Sequence, residues 1–290
     1  MLALFAFVTF GSIGFAYKIS QPSSLVKGII WQPSFDYSKP AGNWHLLGAS
    51  TLLVQWLIVD NHAWLDFSDH ALASGLDQGP TEWLVVFGQP WARNVIWGLA
   101  GRFNVQESHD MSEIISAQSQ FLIDFVPSQP LAWYAPLEVS PELTSSDELN
   151  AYLDRLPRPL MISVYGGHDM TPERFAAWVH HVLPSDIFIL IQDEVGVQRQ
   201  SPQIARQRVE NLAALRGSEN VGIILEAFVQ KGAYGEPDLA FEPSSVWRVY
   251  QQLSAYKGLS IYVFSARYLS PWRVIVLKML IVLFGEGGRV

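Results

Sequence analysis

With 290 residues, 49% of them hydrophobic, the chain is long enough and apolar enough for one large buried core. A net charge of −8 excludes nucleic acid as the main partner, because affinity there comes from Lys and Arg neutralising phosphates. Cysteine is absent, which excludes disulfide scaffolds, Cys-ligated zinc and thiol catalysis, and leaves the redox compartment open.

The chain begins with "MLALFAFVTFGSIGFA", a continuous apolar run that ends in small residues near Gly14 and Ala16. It is shorter than the ~20 residues of a comfortable membrane span, and it resembles the core of a signal peptide without the usual basic residues in front. Residues 1–17 are therefore expected to direct export to the periplasm or beyond, or to remain as a membrane tether. One domain is expected over residues 27–284.

Eight apolar runs follow, at 27–35, 50–60, 93–101, 131–139, 159–167, 186–194, 221–229 and 259–267. They are continuous rather than alternating, as in parallel strands covered on both faces. Helical patterns lie between them. "SHDMSEIISAQSQFLIDFV" follows the third run and places Met111, Ile114, Ile115, Ala117 and Phe121 near one face. "SSDELNAYLDRL" follows the fourth, with Ser145 or Ser146 as its N-cap. "TPERFAAWVHHVL" follows the fifth, with Thr171 as N-cap and Pro172 at the first helical position. In "SPQIARQRVENLAALRG", Pro202 sits near the start and Gly217 is placed to end the helix. "EPSSVWRVYQQLSAYKG" precedes the eighth run. The closing run "VIVLKMLIVLF" spans 11 residues with Lys278 inside, and reads as a buried last helix. The alternation predicts a single (β/α)8 TIM barrel, an α/β fold. No G-x-G-x-x-G follows any run, which removes the commonest signature of a doubly wound nucleotide-binding sheet.

Barrels of this kind carry their active sites at the C-terminal ends of the strands. The residues presented there are Trp31, Gln32 and Asp36 from the first run, then Gln55, Trp56, Asp60 and His62 from the second. The third offers Trp97 and Arg102, and the fourth Tyr134 and Glu138. The fifth gives Tyr165, His168 and Asp169, the sixth Gln192, Asp193 and Glu194. Glu226 ends the seventh run, and Ser265, Arg267 and Tyr268 end the eighth. Carboxylates, amides and aromatic rings in this setting suit carbohydrate chemistry. No H-E-x-x-H or comparable spacing points to a metal, and no cofactor is expected. Glu138 and Glu226 each follow core-like sequence directly. Retaining glycoside hydrolysis needs two carboxyl groups ~5–5.5 Å apart, one protonated and one ionised. A catalytic pair and a pair of solvated strand ends are both open on these residues alone.

Carboxylates ending the fourth and seventh strands resemble the large superfamily of retaining glycoside hydrolases. That resemblance implies Glu138 as acid/base and Glu226 as nucleophile. The chain also resembles the bacterial DUF4434 family, a glycoside-hydrolase-like barrel, through "WQP" (31–33), "LLVQW" (52–56), "YAPLE" (134–138), "SVYGG" (163–167), "IQDEVGV" (191–197), "LEAF" (225–228) and "YLSP" (268–271). Glu194 departs from the glycine usual in that family. Leu137 and the pair Gln55–Trp56 stand where the retaining superfamily commonly has Asn and Arg, with Arg102 or Arg267 as candidate replacements.

The expected function is cleavage of a β-linked polysaccharide or oligosaccharide, such as a bacterial exopolysaccharide. Trp31, Trp56, Trp97 and Tyr134 would line sugar subsites, while Gln32, Gln55, Gln192 and Asp193 would bind hydroxyls. Tyr165, His168 and Tyr268 complete the expected substrate-binding set. The alternatives are a non-catalytic glycan-binding or polysaccharide-export accessory protein on the same fold, and a membrane-tethered scaffold.

Overall fold

The structure, a computed structural model, describes residues 18–66, 75–79, 81–143, 146–232 and 239–285. The leader expected at 1–17 lies outside the described residues, as do the side chains of Ser145 and Ser146 expected to cap a helix.

Each of the eight apolar runs contains one barrel strand: β1 Gly28–Trp31, β2 Thr51–Val54, β3 Asn94–Gly98, β4 Ala132–Val139, β5 Leu160–Val164, β6 Ile187–Gln192, β7 Val221–Glu226 and β8 Ile261–Phe264. Successive strands pair in parallel, and β8 pairs with β1 to close the barrel. The pairs Gly28↔Thr51, Thr51↔Asn94, Ile96↔Ala132, Trp133↔Leu160, Leu160↔Ile187, Ile189↔Val221, Ile223↔Ile261 and Tyr262↔Gly28 set the stagger. Followed once round, they displace the register by about eight residues, the shear of a TIM barrel. The fold is a single (β/α)8 barrel.

Side chains alternate strictly between two cores, as the two-residue period of a strand requires. Ile30, Leu53, Ile96, Tyr134, Met161, Leu190, Ile224 and Tyr262 fill the lumen. Their neighbours Ile29, Leu52, Trp97, Trp133, Ile162, Ile191, Leu225 and Val263 point outward to the helices.

The outer layer comprises α1 Trp83–Phe87, α2 Val105–Asp110, α3 Ser112–Leu122, α4 Ser146–Leu153, α5 Pro172–Val182, α6 Pro202–Arg216, α7 Val246–Ala255 and α8 Pro271–Phe284. Thr171 and Ser201 cap α5 and α6 by accepting from Arg174 N and Ile204 N, and Gly217 follows α6 with φ +86°. The helix expected after β3 is two helices joined at Met111. Its buried face is Ile115, Ser116, Ser119 and Leu122 rather than Ile114 and Ala117, because Ser119 Oγ accepts from Ala100 N of the barrel rim. A short turn, Trp44–Leu47, fills the place of a helix between β1 and β2, and Trp44 Nε1 donates to Leu269 O at 2.7 Å. The expectation of a buried last helix holds for one face only: Val274, Leu277, Lys278 and Ile281 of α8 are buried, while Trp272, Ile275, Leu283 and Phe284 are exposed.

β3 ends where β2 presses against it. A Cβ on Gly98 would lie 2.3 Å from the Gln55 carbonyl and from Val54 O, which are backbone atoms that cannot swing away. Gly98→Ala is expected to lower stability by about 1–3 kcal/mol, the range for an overpacked core. Urea unfolding followed by far-UV circular dichroism measures this.

Candidate active site

The depth of Glu138 in the cavity is set by a proline that breaks β4. Pro136 has no N–H to offer the ladder, so a parallel strand cannot continue regularly through it. The pairing steps from Ala135↔Ile162 directly to Glu138↔Ser163, looping out Pro136 and Leu137. Glu138 therefore stands above Tyr134 in the lumen column. Tyr134 Oη donates to Ser163 Oγ at 2.9 Å, and Gln192 Nε2 from β6 donates to Glu138 Oε1 at 3.0 Å. The strand is pinned from outside by His109 of α2, whose Nε2 lies 3.2 Å from the Glu138 carbonyl oxygen. Burial pushes the Glu138 carboxyl above its ordinary pKa, and the Gln192 bond only partly opposes this.

Glu226 ends β7 in the same lumen column as Ile224. Its Oε2 accepts from Gly196 N at 2.7 Å and Val197 N at 3.2 Å, both in the loop after β6. Gly196 is required there: a Cβ would come within 2.7 Å of Glu226 Oε2 and 2.8 Å of Phe228 O. Burial and the neighbouring Asp193 carboxylate hold Glu226 well above the usual carboxylate range, against the pull of the two backbone donors. Arg102 and Arg267 do not serve this group. Arg102 bonds Gly101 O and Gln118, and Arg267 bonds Ser34 and Asp36. Arg248 of α7 lies behind Glu226 instead, with Nη2 donating to Glu226 O at 3.2 Å and also to Phe228 O.

The two glutamates share one cavity of about 460 Å³ at the C-terminal mouth, with Tyr165, Gln192, Glu194 and Arg199 in its wall. Glu138 also borders an adjoining cavity of about 210 Å³, lined among others by Gln32, Gln55, Trp56, Arg102 and Tyr268. Phe228, Phe241 and Phe264 border both cavities. Phe228 and Phe241 come from a hairpin, Phe228–Lys231 with Ala240–Pro243, whose sequence carried no signal of a lip over the mouth.

Of the residues expected to bind substrate, Gln32, Gln55, Trp56, Tyr165, Gln192 and Tyr268 line this cleft. Tyr134 lies beneath it as the floor under Glu138. Trp31, Trp97 and Asp193 are corrections, and alternation is the reason. Ile30 and Gln32 face the lumen, so Trp31 faces out, with Nε1 on Tyr37 O and its ring against Trp83. Trp97 likewise points outward, to Ser128 O and Trp83. Asp193 turns its fully buried carboxylate towards α7, where Gln252 Nε2 at 2.6 Å and Tyr256 Oη at 2.9 Å donate to it. None of the three can touch a molecule in the cleft. His168 does not border it either, and sits behind Glu194, with Nε2 3.3 Å from Glu194 Oε2.

Glu194 is a third carboxyl in the cavity wall. Its backbone is left-handed, with φ +52°. Its Oε1 accepts from Gly166 N at 2.9 Å and lies 3.5 Å from Arg208 Nη1. Burial raises its pKa to about 7 despite the Gly166 donor and the Arg208 charge. The folded chain therefore holds this proton more tightly than the unfolded chain, whose glutamate titrates near 4.5. Its contribution to stability is complete below pH 4.5 and is lost as pH rises from about 4.5 to about 7. Glu138 and Glu226, both raised, add the same sign. Glu194→Gln should make the fall in unfolding free energy over this window shallower without abolishing it, measured by urea titration at stepped pH.

No family model matches the chain, and no curated protein matches it in sequence. Among solved structures, a match is found to a "putative alpha-L-fucosidase" from Bacteroides thetaiotaomicron. The two chains are 14% identical over 85% of this chain and 88% of that one, with a TM-score of 0.49. At this identity and score the likeness carries no information on chemistry.

Proposed function

We propose that the protein is a glycoside hydrolase that cleaves a β-linked polysaccharide with Glu138 and Glu226, on a barrel built for export. The observation that carries this reading is that the two glutamates, from β4 and β7, line a single open cavity whose wall also offers Gln192, Tyr165 and Arg199. Amides, an aromatic ring and two carboxyls lining one cavity supply what hydrolysis of a sugar acetal needs: donors for hydroxyls, a proton for the leaving oxygen and a carboxylate for the anomeric carbon. A cavity of about 460 Å³ also falls within the size range of small-molecule sites.

In the reaction, Glu138 gives its proton to the glycosidic oxygen as that bond breaks. Glu226 forms a bond to the anomeric carbon, and water activated by Glu138 then releases the sugar and restores both groups. Glu226 must shed its own proton before it can attack. Because burial and Asp193 hold that proton, the active form is populated only as pH rises through the elevated pKa of Glu226. The same electrostatics favour a second reading in which the roles are exchanged, with Glu226 as the acid.

Reducing ends released from a panel of bacterial exopolysaccharides test the activity. Glu138→Gln and Glu226→Gln should each lower kcat by about 10²–10⁴-fold with melting and glycan affinity little changed. Near-normal turnover by either variant removes it from the chemistry. Glycan binding with no reducing ends released supports instead a non-catalytic binding protein.

Azide added to the alanine variants separates the two role assignments. Azide replacing the nucleophile leaves a glycosyl azide of inverted configuration, whereas azide in the acid/base variant gives the retained one. If Glu226 is the nucleophile, Glu226→Ala yields the inverted product. The acidic limb of the wild-type pH–rate profile should lie above the ordinary carboxylate range in either assignment.

A further inference from the structure

We propose that the smaller cavity beside Glu138 binds a sugar bearing a carboxylate, with Arg102 as its counter-charge, so that the substrate is an acidic glycan. The acidic sugar sits on the leaving-group side of the bond that is cut, an assignment that rests on the reading of Glu138 as the acid. Glu138 borders both cavities, whereas Glu226 borders only the larger one. The sugar attacked by Glu226 therefore occupies the larger cavity, and the bond to be broken lies beside Glu138. The departing sugar falls in the cavity of about 210 Å³.

One residue sets the charge of that cavity. Arg102, Glu138 and Tyr268 are the ionisable groups in its lining, and burial favours the neutral, protonated forms of Glu138 and Tyr268. Arg155, Arg158, Arg206, Arg208 and Arg267 each have a carboxylate oxygen within 3.6 Å. Among the described residues Arg102 has no such partner. Its Nη1 donates to Gly101 O at 2.8 Å and to Gln118 Oε1 at 3.3 Å, and Nη2 also donates to Gln118 Oε1 at 3.3 Å. These neutral oxygens hold the guanidinium in place without cancelling its charge. They leave the N–H of Nε and the second N–H of Nη2, which lie side by side on one edge of the plane. That edge is the fork that takes both oxygens of a carboxylate.

The rest of the lining suits a sugar around that carboxylate. Gln55 Oε1 is buried and accepts from no donor among the described residues, which leaves it for a hydroxyl. Trp56 and Phe103 line the same cavity and meet edge to face with ring centres 4.8 Å apart, offering apolar surface to a pyranose ring. The net charge of −8 opposes an unbroken polyanion at long range, but salt screens that repulsion beyond about 8 Å, whereas the fork acts in contact. The match is to acidic sugars spaced along a chain.

The probes are two bacterial exopolysaccharides that contain glucuronate, gellan and xanthan, each as isolated and after carbodiimide–borohydride reduction of its carboxylates to alcohols. Affinity electrophoresis of the full chain carrying Glu226→Gln reads binding without turnover. The native polymers should bind roughly tenfold or more tightly than the reduced ones, the scale of one charge-assisted contact. Adding Arg102→Gln should abolish that difference, and Arg102→Lys, which keeps the charge but not the fork, should restore only part of it. Mild-acid removal of the pyruvate ketals of xanthan separates two sources of the carboxylate: loss of the preference assigns the ketal, and its persistence assigns the uronate. Should Arg102→Gln fail to fold, the comparison of native with reduced polymer on the chain that retains Arg102 still decides. Equal binding of native and reduced polymers, no binding of either, or a preference that survives Arg102→Gln overturns the proposal. The reading of the two glutamates fails separately. Carboxylate-dependent binding with no reducing ends released by the wild type removes hydrolysis and leaves the Arg102 site, whereas equal cleavage of native and reduced polymers removes the site and keeps hydrolysis.

Discussion

The mouth of this barrel is organised by a carboxylate that never reaches it. Asp193 Oδ1 accepts from Val195 N and Glu226 N, both at 3.2 Å, while Oδ2 accepts from Gln252 of α7 and from Tyr256, the residue that ends it. One buried group thus ties the end of β6, the end of β7 and a helix of the outer layer. Four donors converge on it, which is how a carboxyl with no exposure is tolerated at all. The loop it holds supplies Gly196 N and Val197 N to Glu226, so the orientation of Glu226 and the electrostatic strain on its proton have a common origin. Removing Asp193 would loosen the one while relieving the other.

The opposite wall depends on the chemistry of a single imino acid. Pro136 interrupts the β4 ladder, and looping out two residues brings Glu138 two positions deeper in the column above Tyr134, opposite Ser163. In an unbroken strand Pro136 would have met Ser163, leaving the glutamate two positions higher, level with Tyr165. Glu138 then closes a short chain of bonds through Gln192 and Ser163 to Tyr134, which restricts a side chain that would otherwise swing in open solvent. The two carboxyls are positioned by different means, one by backbone donors and the other by a side-chain amide. Both are lifted above their ordinary pKa by the same cause, removal from water.

The outer surface follows another logic. α5 buries an apolar stripe of Phe175, Ala176, Val179 and Val182, while α6 buries Arg208 among Ala205, Val209 and Leu212, and both have capped starts. α8 buries Lys278 together with Val274, Leu277 and Ile281, and leaves Trp272, Ile275, Leu283 and Phe284 exposed on its other side.

Much of the fold was legible from local pattern alone. Eight continuous apolar runs with helical spacing between them determine eight covered parallel strands, and the cap at Thr171 and the bounds of α6 at Pro202 and Gly217 follow from neighbours in the chain. Glu138 and Glu226 were visible as acids ending core-like runs. What only the tertiary structure decided was facing. A strand buried on both sides shows no hydrophobic alternation, so nothing local says that Gln192 looks into the lumen and Asp193 out of it, or that Trp31 and Trp97 pack against Trp83 instead of a ligand. The same holds for the looped-out Pro136, the backbone cradle at Gly196 and Val197, and Phe241 over the cleft. Each depends on which residue of a distant strand or loop arrives alongside, a property of barrel closure and stagger that no window along the chain contains.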